Sequence, residues 1–219
     1  MEMWLGYMQL ILHGAWITIQ LTVYGCAFAL AVAILAGLGR ISPYAPVRWI
    51  SVGYIEFFRG TSIFVQLFWI YYVLPLMGFT LSPMQAGVLA LGLNVGAYGA
   101  EVVRSAIQAV DEGQKEAAVA VNLTGYQTMR HVILPQAFVI MLPTFGNNAI
   151  ELLKGTAIVS LISLSDMTFQ AQVVRAQTGN TAIPFITILV LYFAIASVIS
   201  FAVRSLEKRL TRGLDGVRA

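Results

Sequence analysis

The sequence predicts an all-α membrane protein with five transmembrane helices, arranged as a single domain over residues 1–219. Charged residues make up only 11% of the chain and hydrophobic residues 58%, and the mean hydropathy is +0.79. A soluble domain has about 25% charged residues, so this chain has too little charge to cover a water-exposed surface. Several uncharged runs are long enough for the roughly 20 apolar residues of a membrane-spanning helix. We therefore expect most of the chain to lie in lipid.

Long uncharged runs place the first three helices. No charged residue occurs between Glu2 and Arg40, or between Arg59 and Glu101. The second run contains "LPLMGFTLSP" at 74–83, whose prolines and glycine divide it into two helices. The first three predicted spans cover residues 13–38, 52–74 and 84–107.

The last two helices follow the same pattern. Residues 132–150 carry no charge and open a helix that continues past Glu151 and Lys154. Residues 176–203 are uncharged as well, and they give a further helix after Pro184. The fourth and fifth predicted spans cover residues 132–163 and 183–204.

Basic residues predict the orientation of these helices. Five spans place the two termini on opposite sides of the membrane, and Lys and Arg favour the cytoplasmic side. With the N-terminus outside, ten of the thirteen basic residues lie in inner segments, and only Arg59, Lys154 and Arg175 do not. We therefore expect the N-terminus outside, the C-terminus in the cytoplasm, and residues 108–131 in a cytoplasmic loop.

This loop has the local chemistry of a helix, a turn and a second helix. Residues 112–121 are rich in helix formers, and Asp111 precedes them where the helix dipole favours negative charge. Asn122 tolerates the left-handed conformation that ends helices. Thr124 lies three residues before Gln127, the spacing of a capping box.

The small side chains of Ala117, Ala118 and Ala120 make a helix narrow enough to enter a groove on another protein. The alternative is a connecting loop that happens to be helical.

The loop resembles the EAA loop of ABC-importer permeases. That pattern is E-A-A, three residues, Gly, nine residues, Ile, one residue and Leu-Pro; Asn122 and Val132 depart from it, while the E-A-A and Leu-Pro positions match. The resemblance implies a coupling helix that enters a cleft on a separate ATPase subunit. The ATPase-coupling residues that we assign on this basis are Glu116, Ala117, Ala118, Asn122 and Gly125.

Three longer segments are similar to the polar amino-acid branch of these permeases. They are residues 54–75, with Ser62 where proline is usual, residues 93–118 and residues 132–162. The resemblance implies an importer of the bacterial cytoplasmic (inner) membrane that carries a polar amino acid. It also implies ABC ATPase subunits inside, an extracytoplasmic solute-binding protein outside, and a second permease subunit, identical or related. Because five helices make a small bundle, we expect the path to lie between the two permeases.

Several kinds of chemistry find no support in the sequence. None of the three lysines belongs to a phosphate-binding G-x-x-x-x-G-K-[ST] loop, so ATP and Mg²⁺ are expected on the partner ATPase. The two histidines, His13 and His131, lie far apart, and Cys26 is alone, so neither a catalytic set nor a metal site is predicted. The basic C-terminal segment lacks interleaved aromatics, which favours lipid headgroups over nucleic acid.

A polar stripe in the fourth span is the predicted substrate path. Asn147, Glu151 and Lys154 follow one another at spacings of four and three residues, which places them on one helix face. Ionisable groups within spans usually face a bundle interior or a cavity. A carboxylate and an ammonium would suit a zwitterionic solute. The alternative is that Glu151 and Lys154 neutralise each other against a neighbouring helix.

Two further i, i+3 pairs lie near helix ends. Glu56 and Arg59 are predicted to form a gating or packing pair, whereas Glu101 and Arg104 are explained by side chains that reach the membrane interface.

Uncharged polar and small residues predict how the helices pack. Gln66 and Asn94 are isolated in apolar surroundings and are expected to form interhelical hydrogen bonds. Gly92, Gly96 and Gly99 share a face on which a neighbouring backbone can approach closely.

Two other functions remain open from the sequence. A weak resemblance of residues 161–172 to compatible-solute permeases, for example for ectoine, leaves that cargo as an alternative. An ion-coupled secondary carrier is the alternative from another class, but no inverted repeat supports it.

Overall fold

A computed structural model describes residues 2–211 of the chain. In this part the secondary structure consists of helices joined by short turns and loops. The last basic residues of the sequence, Arg212 and Arg218, lie outside it. The helices are α1 (Glu2–Arg40), α2 (Ala45–Gly60), α3 (Ile63–Phe68), α4 (Pro83–Gln108), α5 (Glu112–Ala120), α6 (Gly125–Thr128), α7 (Leu134–Gly155), α8 (Met167–Thr178) and α9 (Ala182–Thr211). A π turn at Trp69–Val73 and a 3-10 turn at Leu74–Met77 extend α3, a π turn at Met129–Ile133 joins α6 to α7, and a 3-10 helix at Thr156–Ile162 follows α7.

Four of the helical segments in this part of the chain are long and apolar enough to cross a membrane. They are Gly6–Arg40, Pro83–Gln108, Gly125–Ile162 and Ala182–Leu210, and they coincide with the first, third, fourth and fifth predicted spans. The second predicted span makes a fifth crossing only if a bent pair of helices is counted as one.

The second predicted span, residues 52–74, is not one straight helix. The structure starts it earlier, at Ala45, and bends it by 104° between α2 and the segment Ile63–Met77. Thr61 and Ser62 adopt extended backbone conformations at the bend. The uncharged run that predicted a continuous helix is therefore a helix, a sharp corner and a shorter second helix.

Helix α4 is the centre of the bundle. More of its residues are buried than in any other helix, and its main neighbour is α1. A Cβ atom added at Gly92 would lie 2.5 Å from the Phe28 ring, and one at Gly99 would lie 2.7 Å from Ala33 Cβ. The predicted close approach of a neighbouring backbone to this glycine face is confirmed, and the neighbour is α1.

Helix α8 lies between the fourth and fifth spans, where the sequence analysis predicted no helix. Asp166 caps its start: the two carboxylate oxygens accept hydrogen bonds from the backbone N–H of Thr168 at 3.1 Å and of Phe169 at 2.9 Å. The hydroxyl of Thr18 in α1 accepts a third bond, from Met167 N–H at 3.2 Å. Gly179, with φ +68°, ends the helix. The bond to Thr18 attaches the start of α8 to α1.

Candidate coupling and translocation sites

The loop between α4 and α7 folds into the predicted helix, turn and second helix. The Asp111 carboxylate accepts a hydrogen bond from Gly113 N–H at 2.7 Å and so caps α5. Asn122, with φ +57°, ends α5 in the left-handed conformation. Thr124 and Gln127 form the capping box: Thr124 N–H donates to Gln127 Oε1 at 2.8 Å, and Gln127 N–H donates to Thr124 Oγ1 at 3.3 Å.

The residues assigned to ATPase coupling fall into two groups. Glu116, Ala117, Asn122 and Gly125 are exposed, so a partner can reach them. Ala118 is only 3% exposed and faces its own chain. Its methyl group supports α5 from inside, so Ala118 does not belong to the exposed surface of the loop, and its part in coupling stays a prediction.

The same loop exposes large apolar side chains that the sequence analysis did not single out. Val119, Val121 and Tyr126 are among the most exposed hydrophobic residues of the loop, and Tyr126 is 73% exposed. These two valines and the tyrosine, rather than the alanines of α5, give the loop its exposed apolar area. Their signal was present in the sequence as apolar residues at helix and turn boundaries of a polar segment.

The predicted substrate-path stripe lies on an uncovered face of α7. Asn147, Glu151 and Lys154 are all exposed on the isolated chain. Among the residues that the structure describes, no ion pair joins Glu151 to Lys154. The alternative in which the two charges neutralise each other within this chain therefore has no support.

A groove between α7 and α9 runs beside this stripe. It has a volume of about 620 Å³ and is lined mainly by apolar and aromatic side chains, with Lys154 on its α7 wall. Phe185, Tyr192 and Phe193 line the α9 wall. Lys154 is thus the charged group at the margin of an otherwise apolar groove.

Glu56 and Arg59 do not form the predicted pair with each other. Glu56 Oε1 lies 3.6 Å from Arg40 Nη1, at the end of α1. The guanidinium of Arg59 lies 5.4 Å from the centroid of the Tyr98 ring in α4. The i, i+3 spacing predicts a local pair, but Glu56 contacts Arg40 on α1 and Arg59 contacts Tyr98 on α4 instead.

Glu101 and Arg104, which the sequence explained by side chains that reach the membrane interface, form an ion pair within a larger cluster. Arg104 Nε lies 2.9 Å from Glu101 Oε2, within α4. The second carboxylate oxygen of Glu101 contacts the guanidinium of Arg40 across the α1–α4 boundary. The side chains of Arg40 and Glu101 are only 24% and 19% exposed, so the cluster is largely shielded. Sequence analysis missed Arg40 because it is remote from Glu101 in the chain.

A second polar cluster holds the bend of the second span. Asn94 Nδ2 donates to Gln66 Oε1 at 3.1 Å and to the carbonyl of Phe58 at 2.9 Å. Gln66 Nε2 donates to the same carbonyl at 3.0 Å and to the Thr61 hydroxyl at 2.7 Å. The interhelical hydrogen bonds predicted for Gln66 and Asn94 are confirmed, and they bridge the two sides of the bend.

The sequence of this helical bundle matches a known family of membrane proteins. The model of the binding-protein-dependent transport system inner membrane component matches residues 29–212. The chain belongs to this family. It is thus the permease component of an ABC transport system, and the alternative of an ion-coupled carrier is not supported.

Named relatives of this permease cover nearly its whole length. A probable amino-acid ABC transporter permease of Sinorhizobium fredii is 46% identical over 215 residues, which cover 95% of this chain and 90% of that protein. The L-cystine transport system permease of Bacillus subtilis is 36% identical over 200 residues, 91% of this chain and 86% of that protein.

Solved structures share the fold of the permease. The crystal structure of an amino acid ABC transporter with histidines aligns with a TM-score of 0.88 at 37% identity, over 94% of this chain and 96% of that one. The MetNI methionine ABC transporter, in an inward-facing conformation, aligns with a TM-score of 0.80 at 22% identity. The helix arrangement described above is therefore that of an ABC permease.

Proposed function

We propose that this chain is the membrane-spanning subunit of an importer that carries a polar amino acid across the bacterial cytoplasmic membrane by ATP-driven alternating access. The observation that carries the proposal is the exposed stripe of Asn147, Glu151 and Lys154 on a helix long enough to span the membrane. Its carboxylate and ammonium complement the two charges of an amino acid. The relatives from Sinorhizobium fredii and Bacillus subtilis are named for amino acids, which supports the same cargo.

The exposure of the stripe also argues for a second permease subunit. An ionisable side chain that faces lipid is costly, so such groups face other protein or a water-filled cavity. Glu151 and Lys154 are uncovered in a single chain, so a second copy or a related permease has to cover that face of α7. The solute path then runs between the two subunits, along the stripe.

The loop between α4 and α7 is the proposed contact with the ATPase. This loop exposes residues from each of its parts: Glu116 and Ala117 on α5, Asn122 at the turn, and Tyr126 on α6. An apolar area with a charged rim is suited to a groove on a partner protein. ATP and Mg²⁺ would bind the partner, since this sequence has no phosphate-binding loop.

The remaining parts of the proposal concern orientation and the solute donor. Basic residues favour a cytoplasmic location for the α5 loop and for the C-terminus, with the N-terminus outside. The family description refers to binding-protein-dependent transport, which supports an extracytoplasmic solute-binding protein as the donor.

The cargo is tested with the complex reconstituted in liposomes together with its ATPase and solute-binding protein. We expect ATP-dependent uptake of one or more polar amino acids among glutamine, arginine and cystine. Glu151→Gln is expected to lower that uptake at least about ten-fold, because a charge-assisted hydrogen bond to the solute is lost. Lys208→Gln, which removes an exposed charge near the end of α9, is the control and should leave uptake unchanged.

The outcomes separate the alternatives. Uptake of ectoine without uptake of any amino acid would assign the permease to compatible solutes. Uptake that proceeds without ATP would contradict the importer itself. Normal uptake by the Glu151→Gln variant would remove the stripe from the substrate path.

ATPase coupling is tested separately, at Glu116. An arginine at this exposed position on α5 places a positive charge in the proposed contact. We expect Glu116→Arg to insert normally into the membrane while solute-dependent ATP hydrolysis and uptake are both lost. Normal uptake by this variant would count against the proposed contact.

A further inference from the structure

The ion cluster of Arg40, Glu56, Glu101 and Arg104 joins three helices at one end of the bundle. Glu101 lies on α4, Arg40 is the last residue of α1, and Glu56 lies on α2. Glu101 contacts Arg40 directly, and Arg40 Nη1 lies 3.6 Å from Glu56 Oε1. Replacing shielded ion pairs by apolar side chains is often neutral or stabilising, so fold stability alone does not account for such a cluster.

The two arginines of the cluster have different geometric roles. Arg104 contacts Glu101 within α4, and its Nη1 donates to Gln108 Oε1 at 2.5 Å on the same helix. These contacts cannot join one helix to another. Arg40 contacts Glu101 from α1 and reaches toward Glu56 on α2, so its contacts cross two helix boundaries.

The position of the cluster connects it to the α5 loop. Helix α4 ends at Gln108, and only residues 109–111 separate it from α5. Val110 in this short link is buried together with Ile107 and Ile133, so the link is packed rather than free. A displacement of α5 therefore has to move the end of α4, which carries Glu101.

The cluster also leads toward the bend of the second span. From Glu56, α2 continues for one turn to the corner at Thr61. That corner is tied to α4 by the bonds of Asn94 to Gln66 and to the Phe58 carbonyl. Helix α2 is thus attached to α4 by a neutral hydrogen bond at the Phe58 carbonyl, and Glu56, two residues earlier on α2, approaches Arg40 of α1.

We propose that Arg40 is a positioning residue that makes α1 and α2 follow the end of α4 when the α5 loop moves. The Arg40–Glu101 contact holds α1 to α4, and the approach of Arg40 to Glu56 extends the joint to α2. Without Arg40 this charged joint is lost, and α1 and α2 follow the end of α4 only through the packing and the neutral hydrogen bonds that remain. This inference rests on the proposed function, since it gives the α5 loop a partner that moves it.

The test compares Arg40→Gln with Arg104→Gln in the complete reconstituted complex. Both substitutions remove one positive charge from Glu101, but only the first removes a contact between helices. ATP hydrolysis and solute uptake are measured in the same liposomes. For Arg40→Gln we expect the number of solutes moved per ATP to fall by about ten-fold while hydrolysis continues, a typical size for a coupling between two sites. For Arg104→Gln we expect a change of less than about two-fold, because the lost contact lies within one helix.

A conservative variant separates positioning from simple stability. Arg40→Lys should retain at least about half of the wild-type ratio of solute moved per ATP, because it keeps the positive charge beside Glu101. A partial loss is expected because a point charge replaces the planar guanidinium. Equal losses for Arg40→Gln and Arg104→Gln would overturn the proposal, as would an Arg40→Lys ratio as low as that of Arg40→Gln. Thermal unfolding in detergent checks that each variant is folded.

A second variant and the wild type complete the test. If Arg40→Gln does not assemble, Glu56→Gln tests the same joint, because the Glu56 side chain is 62% exposed and tolerates substitution. A lowered ratio supports the proposal, and an unchanged ratio overturns it. A wild-type complex without ATP-dependent uptake would refute the proposed function. A working wild type with normal coupling in Arg40→Gln would refute only the role of Arg40.

Discussion

At the scale of single residues, the most buried carboxylate of the described chain serves a helix end. Asp166 is 0% exposed, and its oxygens accept the backbone N–H groups of Thr168 and Phe169. Burial raises the pKa of the Asp166 carboxyl from its ordinary value of 3.8 to about 6, against the lowering effect of these hydrogen bonds. The protonated form is therefore favoured in the folded chain, so the charge on Asp166 costs stability.

This cost predicts a pH dependence of stability. Because the folded pKa lies above the ordinary one, the contribution of Asp166 is fully present below pH 3.8 and is lost as the pH rises through about 6. The loss amounts to about 3 kcal/mol at neutral pH, from about 1.4 kcal/mol per pKa unit. We expect Asp166→Asn to remove it, since asparagine caps helices as well as aspartate does.

The measurement is the unfolding temperature of both proteins in detergent across this pH range. The wild type should lose stability relative to Asp166→Asn as the pH rises from about 4 to about 7. Taking the difference between the two proteins cancels the other titrating groups. A difference that stays constant with pH would show that the carboxylate carries no such cost.

A single methyl group tests the packing of α1 on α4. A Cβ atom at Gly37 would lie 2.6 Å from Val103 Cβ and 2.8 Å from the Ala100 carbonyl oxygen. We expect Gly37→Ala to destabilise the chain by at least about 1 kcal/mol, because two packed helices have to separate. Gly6→Ala on the same helix is the control: no atom lies within 4 Å of its added Cβ, so the higher helix propensity of alanine should leave stability equal or slightly raised. Equal unfolding temperatures for the two variants would contradict the close approach.

At the scale of elements, two π turns occur in the same sequence setting. Trp69–Val73 and Met129–Ile133 are each followed by Leu-Pro, at Pro75 and at Pro135. A proline ring inside a helix clashes with the carbonyl four residues earlier. Widening of the preceding turn relieves that clash while the helix continues. Before Pro135 the helix therefore widens into a π turn, through which α6 and α7 remain one continuous segment.

The bend of the second span depends on a small hydrogen-bonded cluster. Gln66 and Asn94 bond each other and share the Phe58 carbonyl, so removing either one loses the bond between them. We expect Gln66→Ala and Asn94→Ala each to destabilise the chain, and the double variant to cost about 1 kcal/mol less than the sum. Unfolding of the four proteins in detergent measures this difference. Additive effects would mean that the two side chains hold the bend independently.

The elements predicted from the sequence are those that depend on local patterns. Uncharged runs place α1, α4, α7 and α9, and cap residues place α5. The corner at Thr61 depends on side chains of α4, which are distant in sequence. Helix α8 was missed because its start at Asp166 is completed by a hydrogen bond to Thr18 of α1, which is distant in sequence.

The same division explains the outcome at the candidate sites. The stripe on α7 follows helix periodicity, and its three residues are exposed on one face, whereas on α5 Ala118 is buried beside the exposed Glu116 and Ala117. Pairing of charges does not follow from spacing alone. Glu56 and Arg59 have the spacing of a pair, but Arg40 and Tyr98 on other helices lie within reach and take their places.

At the scale of the whole molecule, burial is distributed unevenly across the bundle. Helix α4 is enclosed by its neighbours, whereas α9 is exposed along most of its length, with Phe193 and Phe201 turned outward. Exposed apolar helices are stable in lipid. The polar stripe on α7 is not stable in lipid, because its charged groups would lose their hydration there. The apolar groove between α7 and α9 lies beside this stripe. The surface of one chain thus divides into a face for lipid and a face that needs protein.

The orientation of the whole bundle provides the last prediction. Gln114 in the α5 loop and Gln177 on α8 are both exposed. The first precedes and the second follows the candidate membrane span Gly125–Ile162 in the chain. Basic residues favour a cytoplasmic location for the α5 loop, so we expect α8 to lie outside. In a Cys26→Ala background, we expect a membrane-impermeant maleimide to label Gln177→Cys in intact cells and Gln114→Cys only after permeabilisation. Labelling of Gln114→Cys in intact cells would reverse the orientation, and the ATPase contact would then have to be sought on the α8 side.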